Sequence, residues 1–140
     1  MRKTAAVLAC LVSLVLLGCE SQAVRGMKRD VEVLQRDVGS IWRGPGDAEY
    51  TAGLRHYENG NYPEAHHNLQ RALNKGLNWD ADKVQAYKYL AFVDCASGRE
   101  RACRENFARA LALDPNLELT AAEAGHPAWG PAFRSVKATR

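Results

Sequence analysis

An internal repeat between residues 46 and 116 constrains the fold of this chain more than any other feature. Two sets of small and apolar residues recur with an offset of 38 positions, as from Gly53 to Ala91. Each set follows helical spacing on both sides of a turn that contains Gly60 or Gly98, which predicts an antiparallel pair of helices. The repeat therefore indicates an all-α fold of two similar hairpins. The matching positions are Gly53, Tyr57, Gly60, Tyr62, Ala65, Leu69, Ala72 and Leu73, then Ala91, Cys95, Gly98, Glu100, Cys103, Phe107, Ala110 and Leu111.

The hairpin pattern resembles the tetratricopeptide repeat. Small residues stand where the two helices of each hairpin cross, at Gly53 and Ala91, and the second copy ends in the usual terminator, Asp114-Pro115. The first copy departs from the pattern, with Gly76-Leu77 and a longer connection. The resemblance implies a short solenoid, and two repeats need flanking segments to cover their open ends.

The same resemblance implies a groove that binds a peptide or helix of another protein. In this family the first helices of successive repeats line the groove. By register, the lining residues are Tyr50, Leu54, Tyr57, Glu58, Lys88, Phe92 and Ala96.

Residues 1–18 have a basic start followed by an apolar run, which is typical of a secretory signal and too short to cross a bilayer with ease. The run ends in Leu16-Leu17-Gly18-Cys19, which resembles the lipobox of bacterial lipoproteins. The resemblance implies cleavage before Cys19 and its acylation, which would anchor the protein stably on a membrane. Glu20, and not aspartate, follows Cys19, so the resemblance also favours the periplasmic face of the outer membrane. The inner membrane is the alternative. An ordinary signal peptide with an incidental Cys19 is the other interpretation.

Four cysteines are present in the chain. Cys10 would leave with the signal and Cys19 would carry lipid, so Cys95 and Cys103 remain in a compartment where disulfides persist. They lie on opposite sides of the turn at Gly98, and an antiparallel hairpin would bring them face to face. We expect a disulfide, with two buried free thiols as the alternative.

Residues 19–45 contain an apolar stripe with steps of three and four, which predicts a helix from about Val24 to Trp42. Gly26 and Gly39 each weaken this helix by about 1 kcal/mol. The stripe either oligomerises or packs against the repeats or a partner, and both interpretations stay open. Its members are Val24, Met27, Val31, Leu34, Val38 and Ile41.

The C-terminal segment, residues 117–140, contains a run from His126 to Phe133 that is too apolar and too stiff for a disordered tail. Thr120 and Glu123 form the pattern of a capping box, which predicts a short helix. His126, Trp129 and Phe133 follow among prolines and glycines. This segment is either a cap on the last hairpin or a docking epitope for a partner.

Other function classes find little support. The sequence has no Gly-rich phosphate loop, no nucleophile elbow and no metalloprotease helix, so it predicts neither an enzyme nor a cofactor. The adjacent His66 and His67 diverge by about 100° on a helix, and no metal site is expected. The chain has 19 Lys and Arg against 16 Asp and Glu, a net charge of +3. Loss of Arg2 and Lys3 with the signal would leave +1, a balance that gives no support for nucleic-acid binding.

Together these features predict a lipid-anchored scaffold or adaptor that binds a protein partner in an envelope machine for secretion, pilus biogenesis or envelope assembly. The alternative is a self-assembling structural lipoprotein that oligomerises through residues 24–42. A stable oligomer formed by the chain from Glu20 onward would favour the alternative, whereas a monomer that captures envelope proteins would favour the adaptor.

Overall fold

The computed structural model describes residues 43–139. The predicted signal peptide, the lipidation site at Cys19 and the heptad-patterned helix of residues 24–42 lie outside this range and stay predictions. Within the described range the chain is all-helical, which confirms the predicted fold class. No helix in it is long and apolar enough to span a membrane. The helices are α1 Asp47–Glu58, α2 Tyr62–Lys75, α3 Asp80–Ala96, α4 Glu100–Leu113, α5 Ala121–Ala124 and α6 Gly130–Ala138.

The first four helices form two hairpins, α1 with α2 and α3 with α4, and α2 packs on α3 between them. Both hairpin turns contain a glycine in the left-handed region, Gly60 with φ of 73° and Gly98 with φ of 72°. Residues with a side chain rarely adopt this backbone conformation, so glycine is favoured at both turns. The turns lie where the repeat predicts them.

Small residues allow the paired helices to approach closely. A Cβ atom at Gly53 would lie 2.7 Å from Cγ of Leu69 and 3.1 Å from its backbone nitrogen. In the second hairpin Ala91 and Cys103 are fully buried at 0% exposure. The repeat positions that the sequence singles out are therefore the ones that fix the spacing between helices.

In residues 43–139 the buried apolar residues form two clusters. The first lies mainly between α2 and α3 and contains Leu69, Ala72, Leu77, Ala86 and Leu90. The second surrounds Phe92 and Phe107 and includes Trp129 and Phe133 from the C-terminal segment. The C-terminal segment thus completes the core of the second hairpin.

Residues 44–46 connect the chain to α1 through a small clamp. The backbone N–H of Gly46 donates to the Gly76 carbonyl at 2.9 Å, and the N–H of Gly44 donates to Asp47 Oδ2 at 2.9 Å. The start of α1 is thereby tied to the connection that follows α2.

Cys95 and Cys103 lie at disulfide-bonding distance, with their Cα atoms 5.2 Å apart. The bond would join the end of α3 to the first turn of α4. Cys103 is fully buried, and Cys95 is half-buried. The pairing expected from the hairpin is therefore geometrically satisfied.

Reducing this bond should lower the free energy of unfolding by about 2 kcal/mol, because closing a loop of this length restricts the unfolded chain. Denaturant unfolding with and without dithiothreitol measures the effect. The double variant Cys95→Ala, Cys103→Ala is the control and should not respond to reductant. Equal stability of the wild-type protein in both conditions would contradict a stabilising disulfide.

Candidate partner-binding groove

Aromatic side chains from α1 and α3 form a connected row. The Tyr57 ring lies 4.7 Å from the Tyr89 ring and 6.3 Å from Phe92, measured between centroids. Tyr89 meets Phe92 edge to face at 5.7 Å, and Tyr62 extends the row at 5.7 Å from Tyr57. These distances are typical of favourable aromatic pairs. The row crosses from the first hairpin to the second.

The predicted liners on α1 remain partly accessible. Tyr50 and Leu54 are half-buried and pack against the first core cluster. Tyr57 is also half-buried, whereas Glu58 at the end of α1 is exposed. Beside Tyr50 lies a cleft of about 500 Å³ that charged residues line, including Arg43, Arg55 and Asp82. Among the described residues, this side of the groove therefore keeps partly accessible side chains.

The two α1 tyrosines stay protonated at neutral pH. Burial raises the pKa of Tyr50 to about 12, with a further contribution from Asp82. Burial likewise raises the pKa of Tyr57 to about 12, with Tyr62 adding to the effect. Each phenol therefore offers an O–H donor and an apolar ring edge.

On α3, the predicted liners Lys88 and Phe92 are both buried. Lys88 is 6% exposed and Phe92 is 1% exposed. Lys88 Nζ lies 2.8 Å from Glu123 Oε1, and the Phe92 ring is stacked 4.6 Å from Trp129. The chain's own C-terminal segment covers both residues. Ala96, at the end of α3, is exposed.

The covering segment, residues 118–129, is named the strap. It begins with a capping box in which the Glu123 N–H donates to Thr120 Oγ1 at 3.3 Å and the Thr120 N–H donates to Glu123 Oε2 at 2.9 Å. The half-buried His126 ring stacks on Trp129 at 3.4 Å. Trp129 is 6% exposed. The strap thus ends in a buried ring on α3.

After the strap, α6 packs on α4. The Phe133 ring lies 5.2 Å from Phe107, and Phe133 is 4% exposed. Lys137 donates to the Leu117 carbonyl at 2.9 Å and pairs with Glu118. Trp129 and Phe133 are therefore packed against the second hairpin.

The pairing of Glu123 with Lys88 makes stability depend on acidity. Burial raises the pKa of Glu123, but hydrogen bonds from Lys88 and Thr120 lower it, so the net pKa lies below the ordinary value of 4.5. A depressed carboxyl pKa contributes stability that is fully present above pH 4.5 and is lost as the pH falls through the folded-state pKa.

Wild-type protein should therefore be more stable than Glu123→Gln near pH 7, and the difference should shrink toward zero in strong acid. Denaturant unfolding of both proteins along a pH series measures this difference. A difference that stays constant through the acid range would contradict a stabilising charge on Glu123.

A buried polar network around Asp94 was not predicted from the sequence. Asp94, at 0% exposure, accepts from Arg99 Nε at 2.8 Å and from Asn106 Nδ2 at 2.8 Å. His66 Nε2 lies 3.2 Å from Asp94 Oδ1. Burial lowers the pKa of His66, although Asp94 opposes this shift. The network joins α2, α3 and α4. His66 is therefore a half-buried residue that contacts Asp94.

Tyr89 is the groove residue that the repeat register missed. It follows Lys88 and lies three positions before Phe92, a spacing that places two side chains on neighbouring parts of one helix face. That aromatic pair was the available signal. Tyr89 is half-buried and connects Tyr57 to α3.

The described residues contain no cluster of three or more His, Cys, Asp or Glu that could hold a metal ion. The groove offers ring faces, phenol hydroxyls and charged ends, which are groups that recognise another protein by contact. No family model, curated protein or solved structure matches this chain. Its function must be inferred from the groove and from the sequence motifs.

Proposed function

We propose that this protein is a lipid-anchored adaptor with tetratricopeptide-type hairpins, which binds a protein partner of an envelope machine in the groove between α1 and α3. The observation that carries the proposal is the aromatic row across two hairpins, in which Tyr57, Tyr62 and Tyr89 are half-buried. Tyrosine is enriched at protein interfaces because it gives a large apolar area together with a polar tip.

The charged residues around the row suit a partner whose surface combines apolar groups with both positive and negative charges. Arg43 and Arg55 lie with Asp82 along the cleft beside Tyr50, and Glu58 is exposed at the other end of α1. Charges at the edge of an apolar contact set orientation and rate of association more than affinity. The α1 side of the groove thus combines anchors and a polar rim.

The proposed location follows from the N-terminal motif. Acyl chains on Cys19 would hold the protein at the outer membrane, facing the periplasm, and residues 20–45 would connect the anchor to the hairpins. Inhibiting signal peptidase II should make a larger precursor accumulate. An unchanged size would contradict the anchor.

Photocrosslinking in native envelopes tests the groove. A photoreactive phenylalanine analogue at Tyr57 should give a discrete adduct with one envelope protein. The same analogue at Arg101, whose side chain is 94% exposed on α4, is the control for random collision. An adduct pattern shared by both positions, or none at Tyr57, would contradict partner binding in the groove.

A further inference from the structure

The strap covers the α3 side of the groove, where Lys88 and Phe92 lie. Glu123 and Lys88 form an ion pair whose side chains are 20% and 8% exposed, and Trp129 lies on Phe92. On α1, Tyr57 and Glu58 keep partial or full exposure. One continuous face is therefore half open and half occupied by the chain's own residues.

The strap is attached to α3 through side chains. Its backbone-to-backbone hydrogen bonds are local, as from Ala124 N to Thr120 O at 2.8 Å and from Gly125 N to Ala121 O at 3.1 Å. The Ala124 carbonyl also accepts from the Arg134 side chain of α6 at 3.0 Å. In the described part of the chain, Trp129 Nε1 is buried without a hydrogen-bond partner. A buried unpaired donor is unfavourable and is relieved when water reaches it. Closure of the strap is thus opposed by one of its own anchor groups.

The surface beneath the strap selects the chemistry of its occupant. Lys88 Nζ lies 5.0 Å from the Tyr89 ring centroid and 5.6 Å from that of Phe92. This ammonium is buried, so an occupant without a carboxylate would leave it unpaired at high cost. Phe92 presents an apolar ring face on which Trp129 is stacked, and an aromatic group reproduces that contact. The occupant must therefore supply an acidic group and an aromatic group together.

We propose that the strap is an exchangeable occupant of the groove, and that the Lys88 and Phe92 surface binds an acidic and aromatic segment of the partner when the strap leaves. The inference rests on the proposed function, because it names the chemistry of the partner. The spacing from Glu123 to Trp129 in the strap is the template for that segment.

When the strap occupies the groove, it weakens the binding of every competing ligand. The apparent dissociation constant of such a ligand rises as the fraction of molecules with an open groove falls. A peptide of residues 117–131 of this chain, labelled with a fluorophore, is a suitable probe. It should bind the wild-type full chain weakly. It should bind full-chain Trp129→Ala at least about tenfold more tightly, since that variant loses the ring that holds the strap down.

Two further variants make the measurement specific. Glu123→Gln in the full chain removes the other anchor with less disturbance of the core, and it should also strengthen probe binding. Trp79→Ala removes a tryptophan that is 54% exposed in the connection between α2 and α3, so probe binding should equal that of wild type.

Charge reversal tests the pairing itself. A probe that carries Glu123→Lys should lose binding to the Trp129→Ala chain, and adding Lys88→Glu to that chain should restore it. Restoration would support direct contact between the probe and residue 88, because a purely structural effect would not follow the sign of the charge.

The proposal is overturned if Trp129→Ala and Glu123→Gln, with helical circular dichroism like wild type, bind the probe no better than Trp79→Ala. If Trp129→Ala does not fold, the proposal is tested by probe binding to Glu123→Gln and by amide hydrogen exchange on the wild-type chain. Strap amides that exchange only with the global unfolding of α3 would also overturn it. A Tyr57 adduct without probe binding would leave the proposed function intact while rejecting the exchange.

Discussion

Phe107→Ala should lower the free energy of unfolding by about 3 to 5 kcal/mol. Phe107 is 0% exposed, and its ring lies 5.9 Å from Phe92 and 5.2 Å from Phe133. It therefore connects α3, α4 and α6 in one cluster. Alanine would leave a cavity between three elements that cannot collapse without moving one of them. Urea unfolding followed by far-ultraviolet circular dichroism measures the loss.

Leu113→Ala is the matched control for this change. It removes a large apolar side chain from the same helix, but Leu113 is 41% exposed. Substitutions at such positions usually change stability by about 0.5 kcal/mol or less. Similar losses for both variants would contradict a central role for Phe107.

Asp94→Ala should cost about 3 kcal/mol, because removing one partner of a buried polar network leaves the others unpaired. Asn106 is 6% exposed and would lose its contact with the carboxylate, whereas Arg99 can turn to water because its side chain is 46% exposed. The buried amide is expected to dominate the loss. Denaturant unfolding again gives the free energy.

Asp94→Asn separates charge from shape. It keeps the volume of the side chain but replaces one carboxylate oxygen, a hydrogen-bond acceptor, by an amide NH2 group, which is a donor. In one of its two orientations this NH2 group faces His66. Glu105→Gln breaks an exposed pair with Arg101 and should cost less than about 1 kcal/mol. If Asp94→Ala were as mild as Glu105→Gln, the network would not be stabilising.

The two hairpins could be predicted from the sequence because the residues that determine them are close together in the chain. Helical spacing, the turn glycines Gly60 and Gly98, and small residues at the crossings all act within one hairpin. The pairing of Cys95 with Cys103 is local for the same reason, since one turn brings them together. The capping box at Thr120 is likewise a contact between residues three positions apart.

Burial of Lys88 and Phe92 could not be predicted in this way. Repeat register specifies which side of α3 faces the groove, but it does not specify what returns to cover that side. The cover comes from Glu123 and Trp129, which are 35 and 37 positions further along the chain. Composition indicated that the C-terminal segment packs, and only its three-dimensional path shows where.

The Asp94 network escaped prediction because its partners lie on three helices. His66, Asp94 and Asn106 belong to no motif, and each residue alone is compatible with a solvated helix face. Their meeting depends on how α2 packs against the second hairpin. Long-range polar contacts of this kind require the helix packing to be known first.

The clamp at residues 44–46 has a mechanical consequence. Tension along the chain at Arg43 would reach α1 and the connection after α2 at the same time, since Gly46 donates to Gly76. A pull from that direction is shared between both helices of the first hairpin and does not simply unravel the first turn of α1. In the proposed adaptor, anchored through its N-terminal segment and bound to a partner at the groove, this tie would transmit force through the hairpin.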